Sequence, residues 1–537
     1  MSLASVAALL AAQALSGAPP GPAPLIIDQG RPDRIQPTAP VAPPEADKLN
    51  EKGLAHVDAA GSGTPIRRIA FDGTKVPASV ADAARPFIGQ PATRELLDRL
   101  ARALSDAYAK SDVALYTIAV PAQDLSRGVV HILVAEGFIE HIVYPKGSSP
   151  LLRAYGGRLA AEKPLTRRGL ERYLSLMRDI PGAKIDATLL RGSKAGGVIL
   201  SLVPTRKHSD FALGFDNQGT RQLGTAQMHA EAHGYGLLRD GDRTDLTLQA
   251  APDFHRFRYL SLAHSTPLGS DGLSAGLSGG YLETRPKGSD VFGKAELLGV
   301  SLSYPLIRGY RRNLMLSLSL DGLNSDAAQF GALASSDRTR ALRAAAGYSD
   351  VRTKRVVTAG ATVSRGLDIL GARSLAGIND TTFTKVNIRA TVDQQIGKRL
   401  VARLGFSGQY SRNRLAAAEQ FAVGGAEFGR AFDAAILTGD RGAASSGEIA
   451  FRPKLPARFE GSEIYGFADG ARIRVNSRWI QPGARYDLAS AGGGVRFAYA
   501  RHASLNLEAA RVIDKPYSGY SGDNWRFNVR WSLSLKR

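Results

Sequence analysis

Residues 207–537 alternate apolar and polar side chains in one short run after another, and this period of two constrains the fold more than any other feature of the chain. NLMLSLSLDG at residues 313–322 sets four leucines against Met and Ser, and FNVRWSLSL at residues 527–535 repeats the pattern. Successive side chains of a β-strand point to opposite faces, so such runs predict strands with one apolar and one polar face. Turn signals such as Asp240-Gly241 separate the runs, and helical periodicity is largely missing.

The length of this segment favours a closed membrane barrel. A transmembrane strand with its share of turn takes ~20 residues, so the 331 residues from 207 to 537 can supply about sixteen antiparallel strands. An array of that size has to close, because unpaired strand edges cannot exist in lipid and are hazardous in water. Aromatic residues make up only 7% of the chain, which predicts thin interfacial girdles, and a soluble β-array is the alternative.

Composition excludes several other classes of protein. No window of the chain offers the ~20 consecutive apolar residues that a membrane-spanning helix needs. The chain contains no cysteine, which excludes disulfide frameworks, thiolate metal sites and thiol nucleophiles. Although the net charge is +20, the arginines are scattered rather than clustered, so no nucleic-acid partner is predicted.

The first 64 residues have the composition of an export signal followed by a linker. Residues 1–18 combine a short apolar core with small residues, as a secretory signal peptide does, but lack its basic start; an amphipathic leader is the alternative. Residues 19–64 begin with frequent prolines and no apolar periodicity, which predicts an extended linker. Within it, ADKLNEKGLAHVDAA at residues 46–60 is compatible with a short helix or with more linker.

Two small α+β modules are predicted in tandem between the linker and the barrel. In the first, residues 65–138, the strand-like IRRIAFDGT at 66–74 precedes the helical pattern of residues 91–110, and two apolar strands follow. The second module, residues 139–206, repeats that order of elements. Each module has too few residues for more than one small core.

These modules and the barrel carry a resemblance to a known family. PAQDLSRGVVHILVAEGFI, in the first module, is similar to the landmarks of TpsB transporters of two-partner secretion, the ShlB/FhaC/HecB haemolysin secretion/activation branch of the Omp85 superfamily. The matching positions are Pro121, Gln123, Gly128, Glu136 and Gly137, with DIPG at 179–182 and DNQG at 216–219 as further matches. The resemblance implies POTRA domain 1 at residues 65–138, POTRA domain 2 at 139–206 and a sixteen-stranded barrel at 207–537.

A second group of motifs points to one loop of that barrel, loop 6, at about residues 421–447. GGAEFGRAFD resembles the family's signature at the loop tip through Gly429, Arg430, Ala431, Phe432 and Asp433, where Ala431 departs from the usual glycine. FADG resembles the barrel-wall motif through Phe467, Asp469 and Gly470.

The resemblance implies that Asp469 pairs with Arg430 inside the barrel. A guanidinium can bind a carboxylate through two parallel hydrogen bonds, and a partly dehydrated lumen strengthens the contact. The alternative is that both are ordinary solvated charges.

Signs of catalytic chemistry are weak. GLSGG at residues 276–280 fits G-x-S-x-G but lacks the strand-turn-helix context of a nucleophile elbow. The nine histidines form no recognisable metal-ligand motif. We therefore predict neither an enzyme nor a bound metal or cofactor.

The fold class expected is thus α+β periplasmic POTRA modules followed by an all-β transmembrane barrel. The resemblance implies a monomeric pore in the lipid and lipopolysaccharide of a Gram-negative outer membrane. Its POTRA domains would capture an unfolded exoprotein, a haemolysin-like or adhesin-like TpsA partner, which the pore passes to the cell surface without ATP. The alternatives are an outer-membrane assembly factor of the BamA or TamA kind, a passive porin or uptake barrel, and, last, a hydrolase.

Overall fold

The computed structural model describes residues 54–329, 332–479, 482–500 and 502–536. The predicted signal peptide and the linker as far as residue 53 lie outside these residues. The chain forms two compact units. One contains the described residues up to Arg206 together with Arg308–Tyr310, and the other contains Lys207–Ile307 and the chain from Arg311 onwards.

The first unit consists of two α+β modules, each with its own apolar core. The first module comprises β1 (Leu54–Val57), β2 (Arg68–Asp72), α1 (Ala78–Ala84), a 3-10 turn (Arg85–Phe87), α2 (Arg94–Lys110), β3 (Tyr116–Val120) and β4 (Val129–Glu136). The second comprises β5 (Phe138–Val143), α3 (Pro150–Ala160), α4 (Arg167–Arg178), β6 (Ala183–Arg191) and β7 (Gly197–Arg206). Among the described residues, no helix is long and apolar enough to cross a bilayer.

Helix α2 shows why these modules fold as the sequence pattern predicts. The Thr93 side chain accepts a hydrogen bond from the Leu96 N–H and so caps the first turn. Leu97, Leu100 and Leu104 then follow at helical spacing and are completely buried against the sheet of the module.

Strand β1 differs from the sequence interpretation. Residues 19–64 were expected to be linker with a possible short helix, but Leu54–Val57 pairs in parallel with β3 and gives the sheet the order β1-β3-β4-β2. The second module has three strands in the order β5-β7-β6. Four residues carry too little periodicity to reveal a strand, and the partner strand lies about sixty residues further along the chain.

The second unit is a closed barrel of sixteen antiparallel strands, as predicted. Its strands are β8 (Ser209–Asp216), β9 (Gln227–Tyr235), β10 (Arg243–Ala250), β11 (Phe257–Pro267), β12 (Ser274–Thr284), β13 (Val291–Arg308), β14 (Arg312–Gln329), β15 (Ala332–Arg352), β16 (Arg355–Gly366), β17 (Thr384–Ile396), β18 (Leu400–Ser411), β21 (Arg441–Phe451), β22 (Glu463–Val475), β23 (Ala484–Tyr499), β24 (Ala503–Asp514) and β25 (Trp525–Lys536). Strand β25 pairs with β8 and closes the barrel.

Alternation along the strands sorts the side chains between the outside and the lumen. On β14, Leu316 and Leu318 are exposed while Ser319 is buried. The outer surface therefore presents the apolar side chains, as a lipid-facing wall requires, and every strand has a hydrogen-bonded neighbour on both sides.

Between β18 and β21 the chain makes a long excursion, residues 412–440, which is loop 6 from here on. It differs from the predicted range of about 421–447, because residues 441–447 already belong to strand β21 and the chain leaves β18 at Ser411. It contains a 3-10 turn (Ala417–Glu419) and a small hairpin of β19 (Phe421–Val423) and β20 (Leu437–Gly439). A third 3-10 turn (Ala457–Phe459) follows β21.

Candidate functional site: loop 6 and the inner wall of the barrel

The tip of loop 6 packs against the barrel wall. Phe428 and Phe432 lie in one apolar cluster with Tyr465 and Phe467 of β22, which occupy inward positions of that strand. Gly424 allows the turn of the hairpin because its φ of +108° is open to glycine, and its N–H donates to the Phe428 carbonyl oxygen at 2.9 Å. The loop is therefore folded back into the lumen.

Asp469 of β22 fixes the main chain of the loop tip. Its Oδ1 accepts hydrogen bonds from the Gly429 N–H at 2.8 Å and the Ser490 hydroxyl at 2.6 Å, and the Arg430 N–H lies 3.5 Å from its Oδ2. Gly429 has a φ of +77°, and an added Cβ would lie 3.0 Å from Leu488. The glycine of the motif is thus required by the backbone geometry of this contact.

The Arg430 side chain binds two glutamates. Its Nη1 donates to Glu448 Oε2 at 3.2 Å and to Glu508 Oε2 at 3.1 Å. The guanidinium carbon lies 4.1 Å from the centre of the Phe467 ring, which adds a cation–π contact. These contacts join the tip of loop 6 to β21, β22 and β24.

The predicted bidentate pair between Arg430 and Asp469 is not formed. The closest approach of guanidinium and carboxylate is 3.8 Å, from Nε to Oδ2, and Nε donates no hydrogen bond within the described part of the chain. Asp469 already accepts from the Gly429 N–H and the Ser490 hydroxyl, so the arginine reaches past it to the glutamates. Asp469 thus holds the main chain of the loop tip, and the Arg430 side chain anchors the same tip to the two glutamates of the wall.

The rest of the predicted tip motif also contacts the wall. Phe432 is completely buried, and its ring meets Tyr520 edge-on with 5.7 Å between centroids. The Asp433 carboxylate is bound by the Arg526 guanidinium of β25. Its second oxygen lies 3.5 Å from the Arg221 N–H.

Two predicted site residues behave differently from expectation. Ala431 has no positive φ, so alanine fits where the family pattern has glycine, and its N–H lies 3.4 Å from the Ser490 hydroxyl. Gly470 follows the inward Asp469 on β22 and so points to the outer face of the barrel. No hydrogen bond among the described residues joins its main chain to the loop tip, and its membership of the site stays a prediction.

The sequence patterns did not identify four wall side chains that contact the loop tip: Glu448, Ser490, Glu508 and Asn528. Asn528 donates to the Arg430 carbonyl oxygen and to Glu508 Oε1, both at 3.0 Å. Each of the four lies on an inward position of an alternating strand, but so do many other polar residues. The choice among them depends on strand register, which local sequence does not reveal.

Glu448 also belongs to a wider group of charges on the wall. Arg403 Nη1 donates to its Oε1 at 2.7 Å, and Arg496 binds both of its oxygens at 2.6 and 2.7 Å. The same two arginines bind Glu463. Arg430 therefore joins a wider network of salt bridges on the wall.

A second anchor holds the first part of loop 6 at other strands of the wall. We call its four members, Asp321, Arg343, Lys385 and Glu419, the stem cluster; each is at most 3% exposed. Glu419, in the 3-10 turn of the loop, accepts from Arg343 Nη2 at 2.9 Å and from Lys385 Nζ at 2.8 Å. Arg343 also binds both oxygens of Asp321. The two positive and two negative charges compensate each other away from water.

Asp440 closes loop 6 at its end. Its carboxylate accepts from the Leu415 and Asn476 N–H groups, each at 2.7 Å, and from both Nη atoms of Arg478 at 3.1 Å. Asp440 therefore ties the start and the end of the loop to the segment that follows β22.

Beside the hairpin the lumen remains partly open. A cavity of about 690 Å³ lies between the loop tip and the first barrel strands. Its polar lining includes Asp216, His229, Glu231, Arg389 and Glu427.

The POTRA landmarks build the first module. Gln123 Nε2 donates to the Pro121 and His131 carbonyl oxygens at 3.2 and 2.9 Å, and its Oε1 accepts from the His131 N–H at 2.7 Å. Gly128 has a φ of +70°, and a Cβ there would lie 2.6 Å from the Pro65 carbonyl oxygen. Both residues shape the connection between β3 and β4.

Glu136 and Gly137 lie where the two modules join. The Tyr108 hydroxyl donates to Glu136 Oε1 at 3.0 Å; burial and the neighbouring carboxylate raise the pKa of Tyr108, which keeps it a donor. The Gly137 N–H donates to Leu115, and its carbonyl oxygen accepts from the Leu165 N–H, each at 2.7 Å. These five landmarks thus serve the architecture of the modules.

No catalytic or metal centre competes with loop 6 within the described ranges. Ser278 of GLSGG lies within strand β12, where no nucleophile elbow is possible. No group of three or more His, Asp or Glu residues in those ranges is arranged to hold a metal ion.

Comparison with known proteins agrees with this architecture. The family model of the haemolysin secretion/activation protein ShlB/FhaC/HecB matches residues 197–497, and the ShlB-type POTRA model matches residues 64–137. The outer membrane transporter CdiB of Dickeya dadantii (strain 3937) is 23% identical over 429 residues, covering 72% of this chain and 75% of its own.

Solved structures show the same fold at low sequence identity. CdiB from Escherichia coli has a TM-score of 0.74 at 17% identity, covering 100% of this chain and 99% of its own. BamA from Haemophilus ducreyi lacking POTRA domains 1–3 has a TM-score of 0.51 at 12% identity, covering 88% of this chain and 100% of its own.

The ShlB/FhaC/HecB model matches more than half of the chain. The chain therefore belongs to the haemolysin secretion/activation family of the Omp85 superfamily, and it is a TpsB-type outer-membrane protein transporter, not an enzyme, with its POTRA region in the periplasm.

Proposed function

We propose that this transporter captures an unfolded TpsA-type exoprotein through its POTRA modules and passes it through the barrel to the cell surface without ATP. The observation that carries this proposal is loop 6, which is folded into the lumen and held at its tip, at the stem cluster and at Asp440. These contacts are made by side chains, apolar and ionic, so the loop can be released without unpairing the barrel strands, which are bonded to one another independently of it.

The sheets of the POTRA modules offer edges for capture. Strand β2 pairs only with β4, and β6 pairs only with β7, among the described strands. An extended polypeptide can add to such an edge through main-chain hydrogen bonds, which need no particular sequence. This mode of binding suits a partner that arrives unfolded.

Transport without ATP rests on a difference in free energy between the two sides of the membrane. An unfolded chain that folds after emerging buries apolar surface outside and cannot easily slide back. The barrel then needs only to keep a path open while the loop is displaced.

Deletion of residues 65–205 tests the capture role. We expect a barrel that still inserts and still migrates faster on gels before heating, but exports no cargo, because the removed segment contributes no barrel strand. The cargo is defined as the polypeptide that disappears from the medium and cell surface when the whole transporter gene is deleted. Normal export by the truncated protein would refute the capture role.

The strain that lacks the whole transporter gene also distinguishes a dedicated transporter from an assembly factor and from a passive porin. An assembly factor would lower the amounts of many unrelated outer-membrane proteins when it is deleted, and a passive porin would change solute uptake without affecting any exported protein. Loss of one secreted polypeptide, with other outer-membrane proteins unchanged, is the result expected for a dedicated transporter.

A further inference from the structure

We propose that three arginines on the outer face of the barrel bind the phosphate groups of lipopolysaccharide in the outer leaflet of the membrane. They are Arg441 of β21, Arg474 of β22 and Arg485 of β23, and we call them the arginine row. The inference goes beyond the proposed transport function and does not depend on it, because it concerns the lipid around the barrel.

Strand register places the three arginines abreast on one face of the sheet. Arg441 is paired with Arg474, and Arg474 is paired with Arg485 on the next strand. Side chains paired in this way have their Cβ atoms about 5 Å apart, and like charges directly opposite each other destabilise a sheet. An anion bound between the guanidinium groups replaces this repulsion with attraction.

The row faces outward at the cell-surface end of the barrel. On β22 the exposed Arg474 lies between Ile473 and Val475, which are buried on the inner side of the wall. Strand β8 follows the periplasmic POTRA region in the chain, so it runs toward the cell surface, and each later strand reverses the direction. By this alternation β21 and β23 begin, and β22 ends, on the extracellular side.

Two members of the row have no negative partner within the part of the chain that the structure describes. Arg441 donates from Nε and Nη2 to Asn476 Oδ1 at 3.2 and 2.9 Å, and this amide oxygen carries no net charge. The Arg474 side chain forms no hydrogen bond or ion pair with any described residue. Both guanidinium groups therefore keep their positive charge available to a ligand.

The third member shares one carboxylate with a further arginine. Asp487 accepts from Arg472 Nε at 2.6 Å, and the Arg485 Nε lies 3.6 Å from its other oxygen. Four guanidinium groups thus meet a single paired carboxylate on this face. A phosphate group carries up to about two negative charges, and its oxygens match the planar fork of a guanidinium.

Below the arginines the same face is shallow and apolar. Toward the periplasm, the two cross-strand rows that follow Asp487 hold only small residues: Ser445, Gly470 and Ala489, then Gly447, Ala468 and Ala491. Further along, Ile464 lies opposite Val495. The stretch from Arg485 to Val495 measures about 33 Å along the strand, which at a tilt of ~40° spans the ~25 Å apolar band of a barrel. The arginine row therefore lies at the extracellular edge of that band.

A phosphorylated lipid fits both parts of this surface at once. Its phosphates meet the arginine row while its acyl chains cover the small residues below, whose short side chains leave room beside the wall. A free phosphate ion gains only the first of these contacts. An acidic segment of the exoprotein would have to leave water at the lipid boundary to reach the row. Lipopolysaccharide is the lipid of the outer leaflet that carries phosphates on its membrane-anchored sugars.

Retention of lipid by the purified full-length protein tests the inference. The protein in detergent is titrated with lipid A that carries two phosphates, and bound lipid is counted by native mass spectrometry. Arg474→Gln/Arg485→Gln should weaken retention by about tenfold or more, because each arginine near an anionic lipid surface contributes about fivefold. The heat-modifiable gel band shows that the variant barrel is folded.

The matched control is Arg258→Gln/Arg365→Gln on the outer faces of β11 and β16. Like the test pair, it removes one arginine that has a carboxylate partner and one that has none. Arg258 binds Glu283, whereas Arg365 donates to the Thr384 hydroxyl. Neither arginine is paired with another arginine in the sheet. This control should retain lipid A as wild type does.

Arg474→Gln alone keeps the test decisive if the double variant does not fold, because this side chain has no partner to lose among the described residues. It should weaken retention by about fivefold. Wild-type retention by the Arg474 variants, or equal loss in the control, would overturn the inference.

The identity of the ligand is tested with the same wild-type protein. Lipid A without its phosphates and phosphatidylglycerol should both be retained more weakly than phosphorylated lipid A, and inorganic phosphate should not displace it. Equal retention of either lipid, or displacement by inorganic phosphate, would overturn the assignment to lipopolysaccharide. Loss of export by Arg474→Gln with unchanged lipid retention would assign the row to the exoprotein instead and would also overturn it.

Discussion

At the scale of single residues, the partners of Arg430 determine what its loss would do. Glu448 keeps Arg403 and Arg496 when Arg430 is removed, and Glu508 keeps the Tyr465 hydroxyl and Asn528. Glu448 therefore stays compensated, whereas Glu508 keeps its hydrogen bonds but loses the guanidinium that balances its charge. Removal of the arginine should weaken docking of the loop mainly through Glu508.

This arrangement predicts which pairs are energetically coupled. In double-mutant cycles of export rate, Arg430→Ala and Glu508→Gln should show a coupling of about 1–2 kcal/mol, because a charge-assisted hydrogen bond of 3.1 Å joins them. Arg430→Ala and Asp469→Asn should couple more weakly than this pair, since their closest charged atoms are 3.8 Å apart and no side-chain hydrogen bond joins them. Immunoblots correct each rate for the amount of barrel. The opposite ranking would restore the direct pair that the motif implied.

The stem cluster makes a second prediction for a single residue. Glu419→Gln removes a carboxylate that binds both Arg343 and Lys385 in a buried site. We expect the folded barrel to lose about 3–5 kcal/mol, measured by urea titration of its heat-modifiable band. The control is Asp487→Asn, which removes the exposed partner of Arg472 and should cost less than about 1 kcal/mol. Equal effects of the two substitutions would mean that the stem cluster is hydrated.

At the scale of elements, the sequence predicts the strands and helices well where their side chains repeat with a regular period or where the contacts join residues close together in the chain. The barrel follows from alternation, because lipid and lumen sort side chains with the same period as the strand. The acceptors of Arg430 could not be found in this way, since Glu448 and Glu508 meet only after strands β21 to β24 are paired in register. Strand β1 was missed for the same reason, because it is held by pairing with β3 and by hydrogen bonds from the Arg94 guanidinium to the Val57 and Ala59 carbonyl oxygens, not by a pattern in its own four residues.

Movement of loop 6 can be tested by fixing its tip to the wall. The Ala431 N–H lies 3.4 Å from the Ser490 hydroxyl, so the two residues are neighbours and Ala431→Cys/Ser490→Cys is the pair chosen for a disulfide, whose formation is checked by gel shift. Oxidation should stop export and reduction should restore it, because the buried tip occupies the lumen through which we propose that the cargo passes.

The matched control for this lock uses the same wall position. Ser490 pairs with Val512 of β24, so Ser490→Cys/Val512→Cys links two wall strands and leaves the loop free. It should export normally in both states. If the oxidised loop variant exports as well as this control, the cargo passes beside the hairpin, through the cavity lined by Arg389 and Glu427.

At the scale of the whole molecule, the two units are stabilised by different physics. The barrel satisfies its main-chain groups by closure, and in lipid no water competes for them. Each POTRA module instead depends on one small core in water, which gives it the modest stability of a small soluble domain. Among the described residues, all four α-helices belong to the POTRA unit, whereas all three tryptophans of the chain belong to the barrel.

This division predicts two separate unfolding transitions in one chain. In detergent or lipid, the helical circular dichroism at about 222 nm should fall with a midpoint of roughly 3–5 M urea, as expected for small domains. Tryptophan fluorescence and the heat-modifiable gel band should persist to about 8 M urea, because the closed barrel has no strand edge from which to unfold. The chain without residues 65–205 should lack the first transition and keep the second. Coincident loss of both signals in the full-length protein would show that the units unfold as one cooperative body.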